Sequence, residues 1–421
     1  MRVVFVAPFA RYPKGTTRAR VFPLARAMAA RRHQVTVLVP PYDHPEESGE
    51  RYVIGGAKVE TLSVSAVPEQ SARQALVQPM LALELTRRAL ALRPDVVHIF
   101  KPKAVSGLTQ VLFWYGRRLA RIGGSRTGGS RRRPAVVLDT DDWEGHGGWN
   151  EYEAYPWWQK EICDWQERWG LEHADALTVA SRTLETQAWS HRVPPERVWY
   201  VPNGLDADDY RAWSGASGEA GRRRLGLAQE PLLLLYTRFF EFGPERAVAV
   251  LERVVRARPD VKLLVVGAGK YAQEQQLINL ALDRGLAPHV VVAGWQPPEA
   301  LAELIVAGDV ALHPSDDNLA NRAKCSAKLL EVLWLRRPVV ADRVGQQAEY
   351  VQHEITGLLS NPSDPNSMAQ AALRLLDDQA LAHRLADAAR RRVEQEFGWE
   401  HLAGGIEKAY NAALDRSATT R

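Results

Sequence analysis

Residues 309–359 read DVALHPSDDNLANRAKCSAKLLEVLWLRRPVVADRVGQQAEYVQHEITGLL. The order is apolar strand, polar stretch, helical pattern, second strand, glycine turn and a further helix start. The stretch from Ser315 to Lys324 is too polar for a core and longer than a simple connection needs. The helical pattern that follows sets Lys324, Lys328 and Glu331 at i, i+4 and i+7 on one face, with Leu329, Leu330, Leu333 and Trp334 towards a core. Two cations and a carboxylate near a helix start, just past the carboxyl end of a strand, suit a nucleoside diphosphate. Phosphate oxygens would meet lysine and backbone N–H groups, and ribose hydroxyls would meet glutamate. A solvated charged face is the plainer account of the same three residues.

Outward from this stretch, short apolar runs alternate with helical patterns along the whole chain, the mark of parallel α/β sheets. Strands are expected at Val3–Ala7, Gln34–Val39, Val96–Phe100, Ala135–Leu138, Ala176–Val179 and Val198–Val201. A second set is expected at Leu232–Tyr236, Lys262–Val266, Val290–Val292, Val310–Leu312 and Val339–Ala341, with helices such as Phe22–Arg32, Arg73–Leu92, Glu245–Arg258 and Tyr271–Arg284 between. Each set makes a doubly wound sheet with ligands at the carboxyl ends of its strands. Pro202-Asn203-Gly204 between the sets is a turn by composition. A cleft between two such sheets is where a ligand is expected.

The chain has 421 residues, enough for two domains of about 200 residues each. Apolar content of 46% and charged content of 25% are globular averages, which argues against large-scale disorder. Two cysteines, Cys163 and Cys325, exclude a disulfide framework or a zinc cluster and favour a reducing, cytoplasmic setting. The apolar run at Met1–Ala7 ends at Pro8 and reads as a strand, and no stretch nears the roughly 20 apolar residues of a membrane span. The net charge of +4 is too mild to imply a nucleic-acid partner. Arg117, Arg118, Arg121, Arg126, Arg131, Arg132 and Arg133 are nevertheless crowded around the glycine-rich segment 123–130. A solubilising loop explains them; attraction to anionic lipid at the inner membrane face, or to an anionic acceptor, is the alternative.

Pro314-Ser315, Glu331, the strand Arg337-Pro338-Val339-Val340, Val344-Gly345 with Glu349, and Thr356-Gly357-Leu358-Leu359 together resemble the donor half of family 4 glycosyltransferases. Val201-Pro202-Asn203-Gly204-Leu205-Asp206 is similar to that family's P-N-G-x-D junction, Leu263–Gly269 and Val292-Ala293-Gly294 to its next strand ends, and Phe397-Gly398-Trp399-Glu400 to the start of its last helix. The resemblance covers nearly the whole chain. It implies an α/β protein of the GT-B fold, two facing Rossmann-like doubly wound domains with a C-terminal helix crossing back to the first. The expected boundaries are 1–205 for the acceptor domain, 206–395 for the nucleotide-sugar donor domain and 396–421 for the returning helix.

The implied activity is transfer of a sugar from a nucleotide-diphospho-sugar, a UDP-sugar first and a GDP-sugar next, with retention of configuration. The acceptor would be a lipid-linked sugar, a polysaccharide or a protein. By the same resemblance Arg238 and Lys328 hold the diphosphate and Glu331 the ribose, these three carrying the catalytic roles. Gly15, Gly267, Gly294, Trp295 and Asp317 complete the donor site. No cofactor is required, and Mg²⁺ is not essential at such a centre.

Three departures stand out. Phe242-Gly243 replaces a Lys-Gly pair of the family, so Lys328 is expected to supply the missing cation. The first of two paired glutamates falls on Ala323, so Asp316 or Asp317 would have to fold back for sugar hydroxyls. Of two glycines expected after the first strand, only Gly15 is present; Arg18 and Arg20 beyond it would meet an anionic acceptor. Gly267-Ala268-Gly269 with Ala272 also satisfies a loose dinucleotide fingerprint, but the next strand ends without an acid.

The acceptor half is read from His98 at a strand end and from Asp139, Asp141 and Asp142 in LDTDDW. Three carboxylates in four residues are costly together unless cations, hydroxyls or a metal meet them; no metal is assigned. Trp143 and Trp149 are placed in a loop facing the acceptor. Trp158, Ile162, Trp165 and Trp169 fall at helical spacing and are expected in the core. The helix around Phe113-Trp114-Tyr115 reads as buried, with membrane contact the alternative. Two other classes fit the sequence: a silent sugar-nucleotide-binding relative, favoured by the missing glutamate and Lys-Gly, and a GT-B sugar-nucleotide epimerase. The P-N-G-x-D junction and the Phe397-Gly398-Trp399 helix favour the transferase.

Overall fold

The computed structural model describes residues 1–12, 15–64, 74–122, 133–205 and 210–419. Arg126, Arg131 and Arg132 of the basic segment, Asp206 of the junction and Arg73 lie outside the described residues, as does the side chain of Arg121. The chain divides into two compact units. Unit 1 comprises 1–204, 323–325 and 399–421, and unit 2 comprises 205–322 and 326–398.

In unit 1, strands β1 (Arg2–Val6), β2 (Gln34–Val39), β3 (Arg51–Ile54), β4 (Ala57–Thr61), β5 (Val96–Phe100), β6 (Ala135–Thr140), β7 (Ala176–Val179) and β8 (Val198–Tyr200) form one sheet. Its order is β3-β4-β2-β1-β5-β6-β7-β8. All neighbours are parallel except β3 and β4, an antiparallel edge hairpin turning on Gly55-Gly56, both at positive φ. Unit 2 holds β9 (Leu232–Tyr236), β10 (Lys262–Val266), β11 (Val290–Gly294), β12 (Val310–His313), β13 (Val339–Asp342) and β14 (Leu358–Ser360) in the order β11-β10-β9-β12-β13-β14, all parallel. In both sheets the order reverses beside the first strand, at β1/β5 and at β9/β12, the place where α/β sheets open a crevice.

The last helix, Trp399–Thr419, belongs to unit 1: Trp399, Ile406 and Tyr410 sit in one apolar cluster with Phe5, Val37 and Phe100. A fully buried side chain of this size contributes about 1.5–3 kcal/mol, so the helix is part of the core it returns to. Among the described residues no helix is long and apolar enough to cross a membrane.

The helix Trp157–His173 departs from the expected core face. Trp158, Ile162 and Trp165 are 52%, 47% and 45% exposed, and the buried side is Cys163, Gln166, Glu167, Gly170 and Leu171. The reason is a close approach to the helix Ala104–Ile122. A Cβ on Gly170 would lie 2.8 Å from Gln110 and one on Gly107 2.8 Å from Gln166, while Gln166 bonds both the N–H and the carbonyl of Ala104. Small and amide side chains make that interface, leaving the large aromatics outside.

Candidate active site

Central parallel strands are covered on both faces, and β5 and β6 are buried at every position. His98 and Asp139 lie within them rather than past their ends, so neither presents to an acceptor, which corrects the expectation. His98 Nδ1 bonds the Tyr410 hydroxyl at 2.8 Å and Nε2 faces Thr178 Oγ1 at 3.2 Å. Burial, aided by the charge of Arg20, holds the imidazole pKa well below its usual value. Asp139 is gripped by Arg20, Nε to Oδ1 and Nη2 to Oδ2 both at 2.7 Å, and accepts from Thr178. Arg20 is wholly buried and also bonds Asn203 Oδ1 at 3.0 Å and the Val201 carbonyl at 2.8 Å. Far from meeting an anionic acceptor, Arg20 ties the first helix to β6 and to the Pro-Asn-Gly turn. Arg18 stays exposed beside the Tyr12 ring.

Just past β6 the chain turns polar. Asp141 accepts from Thr16 Oγ1 at 2.8 Å, next to Gly15, whose carbonyl accepts from Ala19 N–H. Lys101 reaches Asp142 at 2.5 Å, Glu144 at 3.1 Å and Asp141 at 3.4 Å, and Lys103 bonds Glu144 at 3.0 Å. Burial opposes the Lys101 charge, yet Asp141, Asp142 and Glu144 lift its pKa well above the usual amine range. The cost of clustered carboxylates is therefore met by lysines and hydroxyls. The group with metal-like spacing among the described residues is a different one, His146, Glu161 and Asp164, where Arg168 holds the Asp164 carboxylate.

Trp143 is 4% exposed, stacked 5.6 Å from His191 with its Nε1 donating to the His146 carbonyl. Its expected acceptor role is thereby corrected: the residue is the floor of the loop, and Gly148 is required because a Cβ there would lie 2.0 Å from the Trp143 carbonyl. Trp149 remains partly exposed, with Lys324 Nζ 4.9 Å from its ring.

Beneath this network Glu167 is fully buried, accepting from Glu144 N–H and the Thr140 hydroxyl, both at 3.3 Å. Burial, then the charge of Glu144, raises its pKa well above the carboxylate range. Below the unfolded pKa both states hold the proton; as pH rises past it only the unfolded state ionises, so this group costs stability until the folded pKa is passed. Glu167→Gln is therefore expected to gain stability relative to the parent on going from pH 5 to pH 8. Denaturant titrations at the two pH values read this, and an unchanged difference would sink the assignment.

In unit 2, Tyr236 closes β9 and gathers three of the expected donor residues. Its hydroxyl donates to Glu331 Oε2 at 3.1 Å, Lys328 Nζ lies 5.9 Å from its ring centre, and the charge of Arg238 acts on it. Burial, followed by the Glu331 charge, raises the phenol pKa well above its usual value. Glu331 is 1% exposed, and its Oε1 accepts from the Tyr210 hydroxyl at 2.6 Å. The carboxylate expected to face a ribose is thus covered by two tyrosines. Lys324 is not on the helix of Glu331: Leu319–Ala323 forms a short helix of its own, and Ser326 then caps a new one, Ala327–Trp334, through the Leu329 N–H.

Gly267 has φ 119° and a Cβ there would lie 1.9 Å from the Thr237 carbonyl; its N–H donates to Gly294, which ends β11 at φ 67°. Trp295 is 69% exposed, just past the end of β11. Asp317 is bound on both oxygens by Arg322, and Asp316 meets Arg246, so both carboxylates are engaged by arginines. Phe242 is buried against Phe239, and Lys328 lines the same small pocket as Phe242 and Tyr236.

Residues 219–392 match the family model of glycosyl transferases group 1, and residues 15–204 match that of the glycosyl transferase 4-like domain. The chain belongs to the group 1 glycosyltransferases. The D-inositol 3-phosphate glycosyltransferase of Acidothermus cellulolyticus is 30% identical over 266 residues, 59% of this chain and 57% of that protein. The match thus spans little more than half of that relative. Among solved structures, the sucrose-phosphate synthase of Thermosynechococcus elongatus superposes with a TM-score of 0.71 at 20% identity, covering 98% of each chain. HepE of Anabaena in complex with UDP-glucose gives 0.65 at 17% identity over 97% of this chain and 98% of that one. Identities this low establish the fold, which is GT-B.

For a group 1 glycosyltransferase the lysine–carboxylate network of Lys101, Lys103 and Glu144, and the tyrosine pair on Glu331, are the features that sequence reading missed. DVVHIFKPK did place Lys101 and Lys103 just past β5, a position where ligand-side residues collect. Nothing local to Tyr210 marked it, because its partner is 121 residues away.

Proposed function

We propose that this chain is a hexosyltransferase that moves a sugar from a nucleotide-diphospho-sugar to an acceptor with retention of configuration, UDP-sugar ahead of GDP-sugar. The observation that carries the reading is the convergence of Arg238, Lys328 and Glu331 around Tyr236 at the carboxyl end of β9. The solved likeness to HepE with UDP-glucose supports UDP. Arg238 and Lys328 meet the charge that grows on the leaving diphosphate, the electrostatic assistance such transfers need. The departing phosphate takes the acceptor's proton on the face it leaves, so the reading requires no protein nucleophile and assigns no metal. In this reading the acceptor, a lipid-linked sugar, a polysaccharide or a protein, binds near Asp141, Asp142 and Trp149.

Thermal shifts with UDP, GDP, ADP, dTDP and their sugars, with and without Mg²⁺, test this. Saturation at 100 times Kd adds about 2.7 kcal/mol to the folded state. UDP is expected to stabilise the protein and Arg238→Ala to abolish the effect. Tyr210→Phe frees one oxygen of Glu331 from a hydrogen bond worth about 0.5–1.5 kcal/mol and is expected to tighten UDP binding by a corresponding few-fold. Silence with every nucleotide would put the non-catalytic relative ahead, and epimerised donor without transfer would point to an epimerase.

A further inference from the structure

At the amino-terminal ends of β7 and β8, the opposite end of the unit 1 sheet from Lys101 and Asp141, lies a cavity of about 180 Å³. Trp114, Arg117, Arg118, Arg197 and Arg416 line it, with Glu172 and Asp175 as the acids. Arg117 is committed to Asp175 through both terminal nitrogens, at 2.5 and 2.9 Å. Arg118 lies 4.2 Å over the Trp114 ring and has no carboxylate within ion-pair reach among the described residues. Arg197 is 8% exposed; its Nη2 caps the Glu172 and Ala174 carbonyls at the end of a helix, while its Nε is buried without a partner.

A buried donor left unbonded, beside a second arginine, is costly. Burial and then the nearby charge of Arg416 depress the Arg197 pKa, against the opposing pull of Asp175 and Glu196. An anion in the cavity offsets the repulsion among the guanidinium groups that line it. Guanidinium forks fit phosphate oxygens in pairs, and a ring under one fork fixes its plane.

We propose that this cavity binds a phosphate ester, held by Arg118, Arg197 and Arg416 with Trp114 as its wall. None of these residues takes part in the donor reading, so the two stand or fall separately. The phosphate has two sources, a soluble ester or the headgroup of an anionic lipid. The surface beside the cavity bears on that choice. Trp114 meets Trp169 edge-on at 5.6 Å, Trp169 leans on Trp165 at 5.9 Å, and Trp158, Ile162, Tyr115 (52%) and Leu119 (67%) continue an exposed aromatic and aliphatic face. Tryptophan and tyrosine next to arginine is the composition of surfaces that rest at a lipid headgroup layer.

The full chain would be titrated with glycerol 3-phosphate and sedimented with phosphatidylcholine vesicles, with and without phosphatidylglycerol. The variants are Arg118→Glu and Arg416→Glu, both at exposed positions, with Arg223→Glu (72% exposed, in unit 2) as control. Binding to at least one phosphate probe is expected, weakened about tenfold or more by the two cavity variants, as loss of a charge-assisted bond requires, and unchanged in the control. Binding of glycerol 3-phosphate alone assigns the soluble source. Sedimentation that needs phosphatidylglycerol and falls with Trp158→Ser and Trp165→Ser assigns the lipid. Absence of binding to both probes, or a loss equal to that in Arg223→Glu, overturns the site.

Discussion

Arg20→Met is expected to lower the stability of unit 1 by about 3–5 kcal/mol, the usual result of removing one partner of a buried ion pair. Arg20 and Asp139 are both 0% exposed, so the Asp139 carboxylate left behind has no water to turn to. Two further acceptors, Asn203 Oδ1 and the Val201 carbonyl, lose their donor in the same step. Whole domains are stable by only about 5–15 kcal/mol, so the change takes a large share. Arg20→Lys should recover little, because one ammonium cannot span both carboxylate oxygens as the guanidinium does. The double variant Arg20→Met with Asp139→Asn should be milder than Arg20→Met alone. Its uncompensated charge is gone, while the amide introduced in place of the carboxylate still has an oxygen for Thr178. Denaturant midpoints at constant m-value measure all three. A loss under about 1 kcal/mol for Arg20→Met would show that the pair is not the lock the geometry describes.

The same pair shows where sequence reading stops. Strand positions are legible because unbroken apolar runs such as VVHIF and LLLLY are long, buried and bounded by turn residues; the structure keeps both at the expected residues and lengthens others, such as β6 and β11, by two. The hairpin β3–β4 is not, although Gly55-Gly56 between RYVI and AKVET is a turn signal, because its strands are short and half-polar. Asp139 reads as a ligand-facing group because β6 runs two residues past its expected end, and His98 because its polarity suggests a ligand although it lies inside the expected strand. Two positions along the chain separate a sealed Asp139 from an Asp141 that reaches Thr16. The tryptophan stripe on Trp157–His173 misleads for a different reason. Periodicity gives a face but not the side of the helix that packs, and glycines at 107 and 170 reverse it. In unit 2, Lys328 and Glu331 share one short helix as their spacing requires, whereas the covering of Glu331 by Tyr210 is a tertiary fact with no local trace.

Arg238→Ala is expected to lower kcat by about two to three orders of magnitude, the scale seen when one preorganised donor to a developing charge is removed. The size follows from how few cations unit 2 offers near Tyr236. Phe242, at the position where the family resemblance implied a lysine, is buried against Phe239, and Lys324 lies outside the helix of Glu331. Arg246 is spent on Asp342 and Asp316, and Arg322 on Asp317. Arg238 follows β9 without a carboxylate partner among the described residues. Lys328 shares the load, so Lys328→Ala should fall in the same direction, and the two losses should be less than additive if both cations hold one diphosphate. Arg238→Lys should keep part of the rate, a point charge replacing a fork. Initial rates with donor and acceptor each varied, giving kcat and both KM values, separate the outcomes. A fall in kcat with an unchanged acceptor KM fits stabilisation of the leaving group; an unchanged kcat with a raised donor KM would mean that Arg238 only holds the ground state.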